Sequence, residues 1–288
     1  MSFWEKLSKI DRRFIYFTLF LAVTIPLIFP FNLRPKPMPP VQKLYNYIDT
    51  ISQDKTLVVS VDYTPDTEPE LHPMSIALLR HAFARHIKVG VLTLQLLGLG
   101  LAQDALATVT HEFNSRAQTN SDSIIYGRDY VFWGWQTPVL VPILGMGENI
   151  VGVFPVDYYG NRTDTLPIMK HLKNYNDVAI LVSISGSAIP FYYITYAQTS
   201  FGLKIGAGST AVQAADFYPY LNSGQVTGMM SGMKGGAEYE EMVASKLGVP
   251  GRRKATEAMS SQTVSHIWIM ILIIFGNIGY FALRRRKK

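Results

Sequence analysis

The sequence predicts an α/β domain: a mostly parallel sheet of about five strands with helices on both faces, Rossmann-like and three-layered, flanked by one transmembrane helix at each end. Three observations predict it. Short apolar strand patterns alternate with helical patterns across residues 41–250, joined by short loops. An uncharged apolar run lies near each chain end, FIYFTLFLAVTIPLIFPF at 14–31 and HIWIMILIIFGNIGYFAL at 266–283. Of the 288 residues 48% are hydrophobic and only 17% charged, a balance that suggests membrane segments.

The elements follow in order. Residues 1–13 form a basic tail with Lys6, Lys9, Arg12 and Arg13. The first apolar run has 18 residues, just enough to span a bilayer. Pro26 and Pro30 bend or end it. A cleaved signal peptide is the competing reading, but the run is longer than a usual signal core and no small-x-small site follows. Residues 32–40, NLRPKPMPP, read as a stiff stalk lifting the domain off the bilayer. Val41, Leu44, Tyr45, Ile48 and Ile51 then recur at helical spacing.

Strands are expected at 56–63, 88–95, 129–135, 178–185 and 203–209, each followed by a helical stretch. The run 87–102 is apolar enough to suggest a third span. It is only 16 residues long and holds Lys88 and Gln95, so a buried strand and an apolar loop fit better. Residues 251–265 return the chain to the membrane. The second span, 266–283, ends in the basic tail 284–288, with Trp268 and Tyr280 near its two interfaces.

Charge gives an orientation. The net charge of +6 is concentrated at the chain ends, which speaks for membrane topology and against nucleic acid. Nine cations lie in the two tails: Lys6, Lys9, Arg12, Arg13, Arg284, Arg285, Arg286, Lys287 and Lys288. Six lie just inside the domain: Arg34, Lys36, Lys43, Arg252, Arg253 and Lys254. The excess places both termini in the cytoplasm and the domain outside, in a two-pass protein of the cell membrane. The chain has no cysteine, which excludes disulfides and thiolate metal sites.

In such sheets ligands bind beyond the carboxyl ends of the strands. Asp62, Tyr63 and Thr64 fall there after strand one, Gln95 after strand two, and Trp135 and Gln136 after strand three. Ser185, Gly186 and Ser187 follow strand four; Gly208, Ser209 and Thr210 follow strand five. Ser-Gly-Ser opens a helix whose N–H groups suit an anion; the plainer reading is that Ser187 caps it. GAGST resembles half a phosphate loop without the lysine, and GLGLAQ lacks one glycine of the dinucleotide pattern. Asp62 near Glu70 would suit acid–base work, although a loop acid more often caps a helix. None of the six histidines forms an HExxH pair, and no serine sits in a G-x-S-x-G elbow. No metal or cofactor is implied. Asn161–Thr163 matches a glycosylation acceptor, meaningful only in a secretory setting.

Two further features concern packing. Gly224, Gly228, Gly232 and Gly236 recur every four residues, as a ridge along one helix face would. The ridge either packs tightly, within the chain or between chains, or belongs to a Gly-rich loop before a helix at Ala237. Tight packing is favoured, with Gly228 and Gly232 more sensitive than Gly235. Asn277, inside the second span, calls for a partner such as Thr18 or Thr24.

Three function classes remain. The first is a membrane-anchored, non-catalytic accessory or scaffold subunit, with other membrane subunits or a second copy as partner alongside the bilayer. The second is a small-ligand or sensor domain using the strand-end crevice. The third is an enzyme working through Asp62.

Overall fold

The structure is a computed structural model that describes residues 11–31, 35–119 and 122–286. Most of the tail 1–13, the last two residues of the tail 284–288 and residues 32–34 of the stalk lie outside them. The chain forms two compact units, residues 34–255 and the two flanking segments together.

The first unit is α/β. Helix α2, Pro39–Asp49 (α1 belongs to the other unit), opens on two prolines suited to a first helical turn and buries Val41, Leu44, Tyr45 and Ile48. It is followed by β1 (Thr56–Asp62), α3 (Glu68–Ala84), β2 (Lys88–Thr93), α4 (Leu99–Asn114) and β3 (Tyr130–Trp135). Then come α5 (Leu140–Glu148), α6 (Ile150–Val153), β4 (Val178–Ser185) and α7 (residues 189–201). The unit closes with β5 (Ile205–Ser209), α8 (Ala214–Asn222), β6 (Val226–Ser231) and α9 (Gly232–Leu247).

The six strands are all parallel, in the order β3-β2-β1-β4-β5-β6. Two halves thus run outward from the β1–β4 pair, which is the topological switch point. Alternate strand residues feed two cores. Leu57, Val59, Ile180 and Val182 pack under α2, α3, α4 and α9. Val58, Leu181, Ile205 and Met229 pack under α5, α7 and α8. The run 87–102 is β2, a 3₁₀ turn and the start of α4, as a buried strand requires.

Two expectations for this unit are corrected. The sheet has six strands rather than about five, and the sixth lies inside the segment read as a glycine ridge. The four glycines occupy four different settings. Gly224 makes the turn before β6 at φ 79°. Gly228 lies within β6, facing α2. Gly232 opens α9 at φ 61°. Gly236 sits one turn into α9, where a Cβ would meet Met74 at 3.3 Å and Ala255 at 3.4 Å. Gly235, expected to be less sensitive than Gly228 and Gly232, would place a Cβ 3.0 Å from the Met230 carbonyl carbon. The spacing of four is coincidence: Gly228 and Met230 lie two apart on one face of a strand, and Val226, before a register shift, packs in the other core. Close packing is nonetheless present at Gly228, and it lies within the chain.

The segment 35–38 is not a free stalk. Met38 N–H donates to Glu238 Oε2 at 2.9 Å, fixing it to α9.

Two histidines clamp α3 to its neighbours. His81 Nδ1 meets Tyr239 Oη at 2.7 Å and its Nε2 meets Asp49 at 3.1 Å. His72 lies between Tyr63 Oη at 3.0 Å and Asp104 at 3.1 Å. Burial pushes both imidazoles down, His81 to about 4, so both are neutral donor–acceptor links at pH 7.

The other unit holds α1 (Arg12–Ile28) and nearly all of α10 (Lys254–Arg286). Asp11 caps α1 by accepting Arg13 N–H at 2.9 Å. Ser261 Oγ donates to Val23 O at 2.8 Å, and Trp268 Nε1 donates to Thr18 Oγ1 at 3.2 Å. Thr18 is therefore taken by Trp268 rather than by Asn277, which is exposed on α10. Among the described residues only α10 is long and apolar enough to cross a membrane. The expectation of one such helix at each end is met at the C-terminal end; α1, with 17 residues, is at the short end of what a span takes and does not pass the same test.

Candidate functional site

The switch point puts the carboxyl ends of β1 and β4 side by side, with Asp62 in register with Ser185. The register continues through Ser209 and Ser231, so the last residues of four strands form one polar row. A layer below, Ser60 pairs with Ser183. Apart from Thr56 at the start of β1, the two strands otherwise read as apolar.

Asp62 is fully buried, and both its oxygens are occupied. Oδ1 accepts Leu94 N–H at 2.7 Å. Oδ2 accepts Ser60 Oγ at 2.6 Å and Ser183 Oγ at 3.3 Å. Ser60 Oγ also lies 3.0 Å from the hydroxyl of Tyr193, the first residue of a π-helical turn inside α7. Burial raises the Asp62 pKa to about 6, against the opposing pull of Ser60, Leu94 and Ser183. The group ties β1 to the end of β2, to β4 and, through Ser60, to α7.

Above this layer lies an open groove of about 440 Å³. Gln95 and Leu96 line it from the loop after β2, Trp135 and Thr137 from the end of β3, and Ser187 and Tyr192 from the start of α7. Its walls are uncharged. It suits an apolar or neutral polar occupant, held by a few hydroxyl and amide contacts.

Of the residues expected at the strand ends, Gln95, Trp135 and Ser187 reach this groove. The others serve elsewhere. Tyr63 turns to the opposite face, where its hydroxyl donates to Ser75 Oγ at 3.0 Å. Thr64 bonds Asp66 in its own loop. Ser185 Oγ donates to Asp62 O at 2.9 Å and accepts Ser187 N–H at 3.0 Å. Gly186 passes close to Thr67, 3.1 Å from where its Cβ would stand. Gly208 lies within β5 against Ile184. Ser209 Oγ is buried and has no hydrogen-bond partner among the described residues. GAGST is therefore mostly strand, not a phosphate loop. Glu70 accepts Ala211 N–H at 2.8 Å, so Asp62 and Glu70 have separate partners rather than one shared task. Among the described residues no group of acidic or histidine side chains is arranged to hold a metal ion.

Sequence reading missed Ser60, Ser183 and Tyr193. The first two had a signal: a serine two residues from Asp62 and another two from Ser185 share a strand face with them. Tyr193 had none, because only the packing of α7 brings its hydroxyl over β1.

Comparison with protein families, curated proteins and solved structures returns no match.

Proposed function

We propose that this chain is a membrane-anchored accessory or scaffold subunit of a membrane protein complex. One observation carries the reading. At the position where doubly wound sheets place their reacting or ligand-holding groups, Asp62 is sealed under the loops with both oxygens spent on Leu94, Ser60 and Ser183. The carboxylate holds strands together instead of facing a substrate. In this reading α10 crosses the bilayer, and α1, whose Phe14, Phe17 and Phe20 are exposed, crosses beside it. Affinity capture of the full chain from detergent, followed by mass spectrometry, tests the role. A stable complex with other membrane proteins is expected; a lone chain under mild extraction would sink the proposal.

The orientation follows from the cation count: both tails cytoplasmic and the α/β unit outside. Reporter fusions after Lys288 and at Asp122 check it. The expected pattern is a cytoplasm-active reporter at Lys288 and an export-active one at Asp122; the reverse pattern overturns the orientation.

A second reading rests on the groove. Gln95, Thr137 and Ser187 stand among Leu94, Leu96, Trp135 and Tyr192, a lining suited to a small neutral ligand. Native mass spectrometry that shows a bound small molecule on an otherwise lone chain would favour this reading over the first.

A further inference from the structure

Two backbone irregularities flank the groove, one at the end of β3 and one after β4. Where β2 pairs with β3, Val91 faces Phe132 and Leu92 faces Gly134, so Trp133 is an extra residue. This is a β-bulge, rare between parallel strands, and Gly134 within it takes φ 87°. The residue that follows the bulge is Trp135. After β4, helix α7 is α-helical only as far as Tyr192 and turns π-helical over Tyr193–Gln198. Bulges and π-helical turns give up regular hydrogen bonding and gather where a side chain has to be aimed. Here each adjoins an aromatic residue of the groove wall: Trp135, 38% exposed, and Tyr192, 42% exposed.

The groove also holds hydrogen-bonding groups that the fold does not use. Gln136, beside it, is spent: its Nε2 donates to Val153 O at 3.1 Å and its Oε1 accepts Thr137 N–H at 3.2 Å. The side-chain amide of Gln95 and the hydroxyls of Thr137 and Tyr192 have no hydrogen-bond partner among the described residues. The backbone of Gln95 is nonetheless fixed. Its N–H donates to Thr93 Oγ1 at 3.1 Å and its carbonyl accepts from the same hydroxyl at 2.8 Å. Ser187 Oγ is held 2.9 Å from Ser185 Oγ. Charge is absent from these walls. The first turns of α4, α5 and α7, after β2, β3 and β4, carry none, whereas Glu68, Glu70, Asp216 and Lys234 follow β1, β5 and β6.

We propose that the groove binds a neutral saccharide, with Trp135 and Tyr192 against the C–H faces of sugar rings and Gln95, Thr137 and Ser187 bonding their hydroxyls. The proposal deepens the groove reading given above and rests on it. A sugar ring presents an apolar face of C–H bonds inside a rim of hydroxyls, each a donor and an acceptor. Aromatic rings beside a planar amide and hydroxyls are the complement of that surface. Other occupants fit less well. A nucleotide or other anion finds no cation among the lining residues. A lipid chain would cover Gln95 and Thr137 and leave them unpaired, at a cost. An added peptide strand pairs with a sheet edge, here β3 or β6, and not with strand ends. Because the site is an open groove, a chain of sugars can pass through it.

Isothermal titration of the full chain tests the proposal. The micelle is a zwitterionic amine oxide, because maltoside and glucoside detergents would themselves compete. The saccharide probes are maltohexaose, cellohexaose, chitohexaose and mannohexaose; adenosine and indole are the neutral probes that are not sugars. Saturable binding of at least one saccharide is expected. Trp135→Ala should weaken it by about tenfold or more, and Gln95→Leu by several-fold, whereas Trp135→Phe should keep most of it. These side chains are partly exposed, so the melting temperature should hold in all three variants; Gln95→Leu and Trp135→Phe carry the test if Trp135→Ala does not fold. Saccharide binding that none of the variants changes would put the sugar elsewhere and overturn the proposal. Binding of adenosine or indole alone, weakened by Trp135→Ala, would overturn the sugar as occupant and keep the groove as a small-ligand site. Binding of no probe would overturn the proposal and the groove reading together.

Discussion

Gly228→Ala should destabilise the α/β unit by about 3 kcal/mol, at the upper end of the usual cost of overpacking. The reason is where the methyl group would go. A Cβ at Gly228 stands 2.4 Å from Leu44 N, 2.6 Å from Pro40 O and 2.9 Å from Leu44 Cα. All three are backbone atoms of α2, so no side-chain rotation relieves the contact. Its neighbour in register, Gly206, would meet side-chain atoms alone, Leu44 Cδ1 at 2.7 Å and Val182 Cγ2 at 3.1 Å, which can give way more easily than backbone. The helix must lift off β6, and Val41, Leu44, Tyr45 and Ile48 lose burial as it does. A change of about 3 kcal/mol corresponds to a drop in melting temperature of roughly 6–12 °C for a unit of this size. Gly206→Ala should cost clearly less. Thermal melts of the full chain in detergent check both, and an unchanged melt for Gly228→Ala would mean that α2 does not lie on the sheet at this point.

The second large effect is a change in pH dependence. Burial raises the Asp62 pKa to about 6 from the ordinary carboxylate value of 3.8. The folded state therefore holds the proton more tightly than the unfolded state. The resulting stability is fully present below pH 3.8 and is lost as pH rises through about 6. The difference of about two pKa units corresponds to roughly 3 kcal/mol. His81 acts in the opposite sense: its lowered pKa gives stability present above 6.5 and lost as pH falls through about 4. The two slopes partly offset in the unmodified protein, so a variant is needed to separate them. Asp62→Asn keeps an acceptor for Leu94 N–H, and its amide can donate to Ser60 and Ser183 if their hydroxyls turn. It should be at least as stable as the unmodified chain at pH 8 and clearly less stable at pH 4.5. Asp62→Ala, which leaves Leu94 N–H, Ser60 and Ser183 without their acceptor, should be the weaker of the two variants at every pH. A stability difference between Asp62→Asn and the unmodified chain that does not change with pH would show that the carboxyl is not buried as described.

Much of the fold was legible because its signals are local. The five expected strands are short apolar runs bounded by turn residues, and each corresponds to a strand of the sheet. Helix α2 was readable from Val41, Leu44, Tyr45 and Ile48 recurring along one face. Strand β6 was not, because Thr227, Gly228 and Ser231 leave only three apolar residues in six and blur the alternation that marks a strand. Its identity depends on β5 beside it and α2 above it, neither of which is near it in sequence.

The sequence by itself determined that strands and helices alternate and that an apolar helix lies at the C-terminal end. These are properties of composition and period, set by which side chains tolerate water. Only the tertiary structure decided the rest: the β3-β2-β1-β4-β5-β6 order, the burial of Asp62 between Ser60 and Ser183, and the contact of α2 on Gly228. Each joins residues far apart in the chain. A carboxylate at a strand end becomes an exposed ligand group or a buried strand tie according to what packs over it, and at Asp62 that is the loop carrying Leu94 and the hydroxyl of Tyr193 by way of Ser60.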